Sequence, residues 1–401
     1  GFEVRDMAYM DRYSSPTLSP DGRVLVFAKR VVNKDTNKAT TTLWMRNLVT
    51  RDNAPPKQVS PEGWNVNSPT FSKDGKSLYF MSGKSGAMQL YSIALEGGEA
   101  QQLTDFVLDV DGYKLSPDGK QVALAFAVFP ECKADLNCTK KKLDDVAAKK
   151  NTGVVFDHLF IRHWDTWADG RLNRVFAAKL GGQTKLTSAT LLSGDINGDI
   201  PSKPFGDLSD FAWSPDGKQV AMSVRQSNRE EPWSTNFDIW LVNADGKGAR
   251  NLTAANKAWD AGPVFSSNGK TMYYRAMKRP GFEADRFALM AMDLATGKTR
   301  EIAPNWDSSA DGITLSQDGK RIYTTAQNMG EHPLFSVDIA TGKATQVIGD
   351  GSISAFDIAG PTLAFSRNTM QTGDVLTVTG LDGDDNQRMI TPTAQQMLPG
   401  V

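Results

Sequence analysis

Apolar and polar side chains alternate along this chain in short bursts, and the bursts pair around one kind of turn. SPTLSPDGRVLVF (Ser15–Phe27) shows the unit: a short strand, a Pro-Asp-Gly turn, then a second alternating run. Near-copies follow as SPTFSKDGKSLYF (Ser68–Phe80), GYKLSPDGKQVALAF (Gly112–Phe126), DFAWSPDGKQVAMSV (Asp210–Val224), GPVFSSNGKTMYYR (Gly262–Arg275) and GITLSQDGKRIYTT (Gly312–Thr325). A last copy, ISAFDIAGPTLAFSR (Ile353–Arg367), keeps the alternation and loses the Asp-Gly turn. Each copy is followed by a third alternating segment, such as QLYSIAL (Gln89–Leu95) or DIWLVNA (Asp238–Ala244), then a Gly-bearing turn and a short fourth strand, as in GGEAQQLT (Gly97–Thr104). Alternation with a period of two predicts half-buried strands. The Asp side chain binds amides ahead of it, and Gly supplies the positive φ of the turn.

One four-stranded antiparallel unit cannot bury both of its faces alone. Units returning about every 45–55 residues bury them against each other, which predicts a β-propeller of about seven blades, an all-β fold. The interval from Ser116 to Ser214 is nearly double the usual one. It predicts a long insertion in blade three (127–173), with a hidden eighth blade as the alternative. The expected organisation is a lead-in segment (1–14), the propeller (15–392) and a linker stub (393–401). Blade one begins with its own first strand and blade seven ends with its own fourth. No strand is borrowed across the seam unless GFEVRDMAYM supplies one, and both chain ends are expected at one edge of the disc.

At 401 residues, with 40% hydrophobic and 23% charged residues, the chain has an ordinary globular composition. A formal net charge of −1 gives no electrostatic reason to expect nucleic acid or an anionic membrane as partner. No apolar run approaches the roughly 20 residues of a membrane-spanning helix. The opening GFEVRD shows no leader, as after removal of a signal peptide or in a trimmed chain. Cys132 and Cys138 stand in CKADLNC, a poor zinc spacing with no His nearby. The pair reads as a local disulfide, which would put the protein in the periplasm or outside the cell; two free thiols are the alternative.

Several motifs fail on inspection. ATGKT (Ala295–Thr299) resembles the end of a phosphate-binding loop, but Met292 stands where its first Gly belongs, and ATGKA (Ala340–Ala344) repeats it one blade later as a hairpin turn. DINGD (Asp195–Asp199) opens like a calcium loop, yet Gly206 replaces the acid due at its twelfth position. His158, His163 and His332 form no metal pair, and no G-x-S-x-G elbow occurs; GKSGA (Gly83–Ala87) lacks the final Gly. No catalytic residue, metal site or cofactor is expected. The innermost strands offer hydroxyls and no ring of metal ligands, against a lactonase-like propeller.

Two stretches break the pattern. REEPWSTNFDIW (Arg229–Trp240), between the second and third strands of blade four, sets Glu230 and Glu231 beside Pro232 and Trp233. Two carboxylates and an aromatic wall suit an α-ammonium; the alternative is a solvated acidic loop with Trp233 packed on its blade. FDHLFIRHWDTWADGRLNRVF (Phe156–Phe176) crowds Arg162, His163, Trp164, Asp165 and Trp167 together, as a pocket wall or interface would. Its alternative is a long hairpin whose tryptophans cover the propeller flank.

The SPDGK blades, HWDTW and WSTNFDIW together resemble the propeller of the prolyl oligopeptidase (S9) serine peptidases, in the dipeptidyl-peptidase 5 and acylaminoacyl-peptidase-like subgroup. The resemblance covers essentially the whole chain. It implies that MLPGV (Met397–Val401) leads towards an α/β-hydrolase domain carrying the catalytic triad, and that this chain is the part that admits oligopeptides and excludes folded proteins. By the same resemblance Glu230 and Glu231 would bind a peptide's free amino terminus, with Arg162, His163 and Trp233 as neighbours. The implied partners are an oligopeptide substrate and the hydrolase domain; a homodimer stays open. The competing reading is a standalone TolB-like propeller that docks protein partners.

Overall fold

The returning Ser-x-Asp-Gly turn is closed by its own side chains. Ser19 Oγ donates to Asp21 Oδ1 at 2.6 Å, the Arg23 amide donates to the same oxygen at 3.1 Å, and the Val24 amide donates to Ser19 Oγ at 3.0 Å. The same three contacts recur from Ser72, Ser116, Ser214, Ser266 and Ser316, with Asn268 taking the place of Asp in the Ser266 copy. The serine hydroxyl first, then the amide donors, hold the five turn aspartates below the usual carboxylate range. Gly22 has φ +70, and a Cβ there would stand 2.6 Å from the Ala359 carbonyl oxygen, so both conformation and space require glycine.

These turns organise seven four-stranded antiparallel sheets, and the chain is a seven-bladed β-propeller, as the repeat implied. The structure, a computed structural model, describes residues 1–383 and 386–400. Residues 1–103 with 314–401 form one unit and 104–313 another. In the first, blade one comprises Arg12–Leu18, Val24–Asn33, Lys38–Asn47 and Lys57–Gln58, and blade two Val66–Phe71, Ser77–Ser82, Gln89–Ala94 and Gln101–Gln102. Blade six comprises Thr314–Leu315, Arg321–Thr325, Leu334–Asp338 and Ala344–Ile348, and blade seven Ser352–Ala359, Thr362–Thr369, Gly373–Gly380 and Arg388–Met389. In the second unit, blade three comprises Gly112–Leu115, Gln121–Val128, Leu172–Lys179 and Thr190–Leu191. Blade four comprises Phe211–Trp213, Gln219–Arg225, Phe237–Asn243 and Arg250–Asn251, and blade five Asp260–Phe265, Thr271–Ala276, Ala288–Asp293 and Thr299–Glu301. The long interval is an insertion between the second and third strands of blade three, so no eighth blade is hidden there.

Alternation sends successive side chains of a second strand into two different cores. In blade one, Leu25 and Phe27 pack with Ala364 and Leu376 of blade seven, while Val26 and Ala28 pack with Leu78 and Phe80 of blade two. In the other unit, Val220 and Met222 of blade four join Ala123 and Val175 of blade three, and Ala221 joins Met272 and Tyr274 of blade five. Each large apolar side chain buried this way contributes about 1.5–3 kcal/mol, and in blades one and four both faces are covered by a neighbour.

Blades one and seven meet without sharing a strand. The Leu18 amide donates to Asp357 Oδ2 at 2.7 Å, Thr362 Oγ1 donates to the Gly22 carbonyl at 3.2 Å, and Arg388 Nη1 donates to the Thr50 carbonyl at 3.1 Å. The leading segment forms a helix, Val4–Tyr9, rather than a strand. The first strand of blade one begins at Arg12, three residues before Ser15. Met10 and Ala394 both lie against Gly373, which brings the two ends of the fold together on blade seven.

Candidate functional site

In every blade the start of the first strand, the connection between strands two and three, and the end of the fourth strand lie at one end of the sheet; the turn between strands one and two lies at the other. Most of the two-to-three connections are short. Those of blades three, four and five are long (129–171, 226–236 and 277–287), and they converge on a cavity of about 670 Å³.

The blade-three insertion has local supports. Cys132 and Cys138 are joined by a disulfide across six positions, and no free cysteine is present. Asp135 caps the helix Leu136–Ala147 by accepting from the Cys138 amide at 3.0 Å. Beyond the helix, Arg162–His163 pairs with Thr166–Trp167 in a hairpin whose tip holds Trp164 at φ +49. Its tryptophans do not cover the flank: Trp164 and Trp167 are 68% and 57% exposed. The Arg162 guanidinium lies 5.4 Å from the Trp167 ring, Trp167 stacks on Phe156 at 5.7 Å, and His163 stacks on Phe160 at 4.2 Å. Trp164 meets Phe205 edge-on at 5.4 Å.

Three of the sequence-predicted site residues, Arg162, His163 and Trp233, line this cavity together. The adjacent acids part company. Glu230 is exposed and outside the lining. Glu231 is drawn inward to Arg225, 3.8 Å away, with side-chain exposures of only 16% and 15%. Arg225 lines the cavity, so Glu231 reaches it through that partner. The Arg225 guanidinium also lies 5.3 Å from the Phe237 ring and donates to the Ser234 carbonyl at 3.4 Å. Burial first, with the Asp199 charge, raises the Glu231 carboxyl above its ordinary value against the opposing pull of Arg225. Burial and then Arg225 hold the His163 imidazole below its ordinary value, so it is neutral at neutral pH.

Sequence reasoning missed Arg225, at the end of a strand, and the blade-five loop with Phe282 and Glu283, which completes the lining. The signal available was the blade template: RPGFEADRF (Arg279–Phe287) occupies the same place in blade five as the Glu230–Trp233 loop does in blade four. A second cavity of about 590 Å³ lies among the first strands of blades three to five and holds Lys114 and Arg275. Lys114 Nζ donates to the carbonyls of Leu208 and Phe211, both at 2.7 Å, and burial pushes its ammonium down to about 8. Among the described residues no cluster of three or more His, Cys, Asp or Glu side chains forms a metal site.

No family model matches the chain. Dipeptidyl-peptidase 5 of Porphyromonas gingivalis is 31% identical over 370 residues, covering 92% of this chain and 52% of that protein. The chain thus spans about half the length of the curated relatives it matches. Among solved structures, an acylaminoacyl peptidase of Pyrococcus horikoshii superposes with a TM-score of 0.70 at 15% identity, over 97% of this chain and 53% of that one. The β-propeller domain of the trilobed protease from Pyrococcus furiosus, described as having an open velcro topology, gives 0.64 at 14% identity over 96% and 98%. These structural likenesses speak to the fold alone. The seven consecutive sheets, the open seam and the relatedness to dipeptidyl-peptidase 5 agree, and the chain belongs with the β-propeller domains of the prolyl oligopeptidase (S9) family.

Proposed function

We propose that this chain is the substrate-recognition propeller of an S9 exopeptidase of the dipeptidyl-peptidase type. On this reading the cavity of blades three to five holds the amino-terminal end of an oligopeptide, and an α/β-hydrolase domain continuing the polypeptide cleaves it. One observation carries the reading: the long loops of three successive blades meet in one aromatic-walled cavity. They do so at the end of each of these three sheets where its own fourth strand finishes. Secretion or periplasmic residence fits the Cys132–Cys138 disulfide.

The test compares the 401-residue chain with the polypeptide extended by a hydrolase domain. The extended protein should cleave dipeptidyl chromogenic substrates and the chain alone should not. In the extended protein Trp233→Ala should raise KM about tenfold with kcat within about twofold, the signature of lost binding that ground and transition states share. Hydrolysis by the chain alone, or an unchanged KM, overturns the proposal. The exposed rings of Trp164, Phe205 and Trp233 favour a second reading, a protein-docking scaffold of the TolB kind. That reading expects a stable protein complex and no peptidase activity in the extended protein.

A further inference from the structure

The cavity wall carries two arginines and a single carboxylate, and they differ in what holds them. Arg162 is committed: its Nη1 donates to the Trp164 carbonyl at 3.0 Å, and its guanidinium lies over Trp167. Arg225 is committed to Glu231 and to the face of Phe237. His163, depressed by burial, adds no steady positive charge. Opposite them stands Glu283, which is exposed and has no ion-pair partner among the described residues. Its charged neighbours are engaged elsewhere. Lys278 pairs with Glu301 at 2.7 Å, and the Arg279 guanidinium lies 4.1 Å from the Phe282 ring, outside the lining. Glu283 is therefore the one carboxylate lining the cavity, unpaired among the described residues and set in a wall rich in aromatic rings, while Arg162 is held away on its own hairpin by Trp164 and Trp167.

The loop that carries Glu283 is fixed from both sides. Asp285 Oδ2 accepts from the amides of Lys278 and Arg279 at 2.7 and 2.8 Å, and Oδ1 accepts from the Arg286 amide at 2.9 Å. The Gly281 amide donates to Thr235 Oγ1 at 2.7 Å, which ties the blade-five loop to that of blade four. A carboxylate on an anchored loop in an aromatic-lined cavity suits an ammonium: charge-assisted hydrogen bonds take its protons, and the rings stabilise the charge that remains.

We propose that Glu283 receives the α-ammonium of a bound peptide, with Trp164, Phe205, Trp233 and Phe282 as its aromatic surround. Glu231 is less suited, because an incoming ammonium would compete with Arg225 for it; Glu230 lies outside the cavity. The inference rests on the cavity holding a peptide's amino end, and the experiment separates the two ideas. Binding of Phe-Leu-amide and of its N-acetylated form to the 401-residue chain is followed by calorimetry and tryptophan fluorescence. The wild type should prefer the free amine by at least about tenfold, the scale of hydrogen bonds to a charged group. Glu283→Gln should erase the preference, Glu230→Gln should leave it within about twofold, and Trp233→Ala should weaken both peptides. Unchanged melting temperatures show that these surface variants fold.

A preference that survives in Glu283→Gln, while Trp233→Ala still weakens both peptides, removes Glu283 from the role and leaves the cavity reading standing. A preference lost only in Glu231→Gln hands the role to Glu231 and overturns the inference. Failure of the free-amine peptide to bind, or binding indifferent to Trp233→Ala, overturns the cavity reading and the inference together.

Discussion

Asp260 opens the first strand of blade five and is almost fully buried, at 1% exposure. Oδ1 accepts from Asn256 Nδ2 at 2.9 Å, while Oδ2 has no partner. Burial above all, with Asp238 adding to it, pushes the carboxyl up to about 7 against the lowering effects of Asn256 and of the Thr253 hydroxyl. A group raised this way is protonated in the native state and ionised in the unfolded state between about pH 4 and pH 7. Over that window the native state binds more protons, so stability falls as pH rises. From the ordinary aspartate value of 3.8 to about 7 the loss reaches about 4 kcal/mol at its fullest. In a chain of 401 residues that is about 5 °C in Tm. Asp260→Asn keeps an acceptor for Asn256 and removes the ionisation. The melting temperature of the variant minus that of the wild type, read by circular dichroism at pH 4.5 and pH 8, should grow by about 4 °C towards the higher pH. Other carboxyls titrate in both proteins and cancel in this difference, and any fixed cost of asparagine shifts both readings alike. A difference independent of pH would refute the claim that Asp260 is held protonated by burial. The location matters to the site: Asp260 pairs with Ala276, and its neighbour Trp259 stacks at 4.3 Å on Phe237, the first residue of the strand that follows the blade-four cavity loop.

Two further outcomes test the scaffold. Gly22→Ala should destabilise by about 2 kcal/mol or more, since strain at positive φ adds to the clash with the Ala359 carbonyl; Gly119→Ala, at φ +72 with open space around it, should cost only about 1 kcal/mol in urea unfolding. Replacing Cys132 and Cys138 by serine frees a loop worth about 2 kcal/mol of closure entropy. The expected result is faster proteolysis around Leu136–Ala147 with the Tm of the blades nearly unchanged, and a large fall in Tm would show that the insertion supports the propeller itself.

The blades were legible because each opens with a hairpin closed within a few residues, where alternation and turn chemistry act locally. The reading of the turn was still partial. Asp and Gly explain the bend, but Ser19 and its counterparts supply the hydroxyl that links Asp21 to the start of the next strand. The helix at Val4–Tyr9 was not legible, since a short polar segment carries no usable period. At the site, aromatic and charged crowding singled out two stretches whose Arg162, His163 and Trp233 line one cavity. Glu230 and Glu231 could not be sorted from sequence, because which of two adjacent acids turns inward depends on Arg225, a residue brought there by the strand pairing of Arg225 with Phe237. Glu283 was invisible for the same reason: its relation to Trp233 exists only between blades.

Each of the seven sheets is woven from one uninterrupted length of polypeptide. Whole blades can therefore be duplicated, lost or exchanged by a single splice at their borders without unravelling any neighbour. With Met10 and Ala394 seated on the same glycine, the two ends of this fold could be fused and new ones opened between two other blades, yielding a circular permutant with every ladder intact. A ring latched by a strand from the opposite terminus would forfeit that modularity.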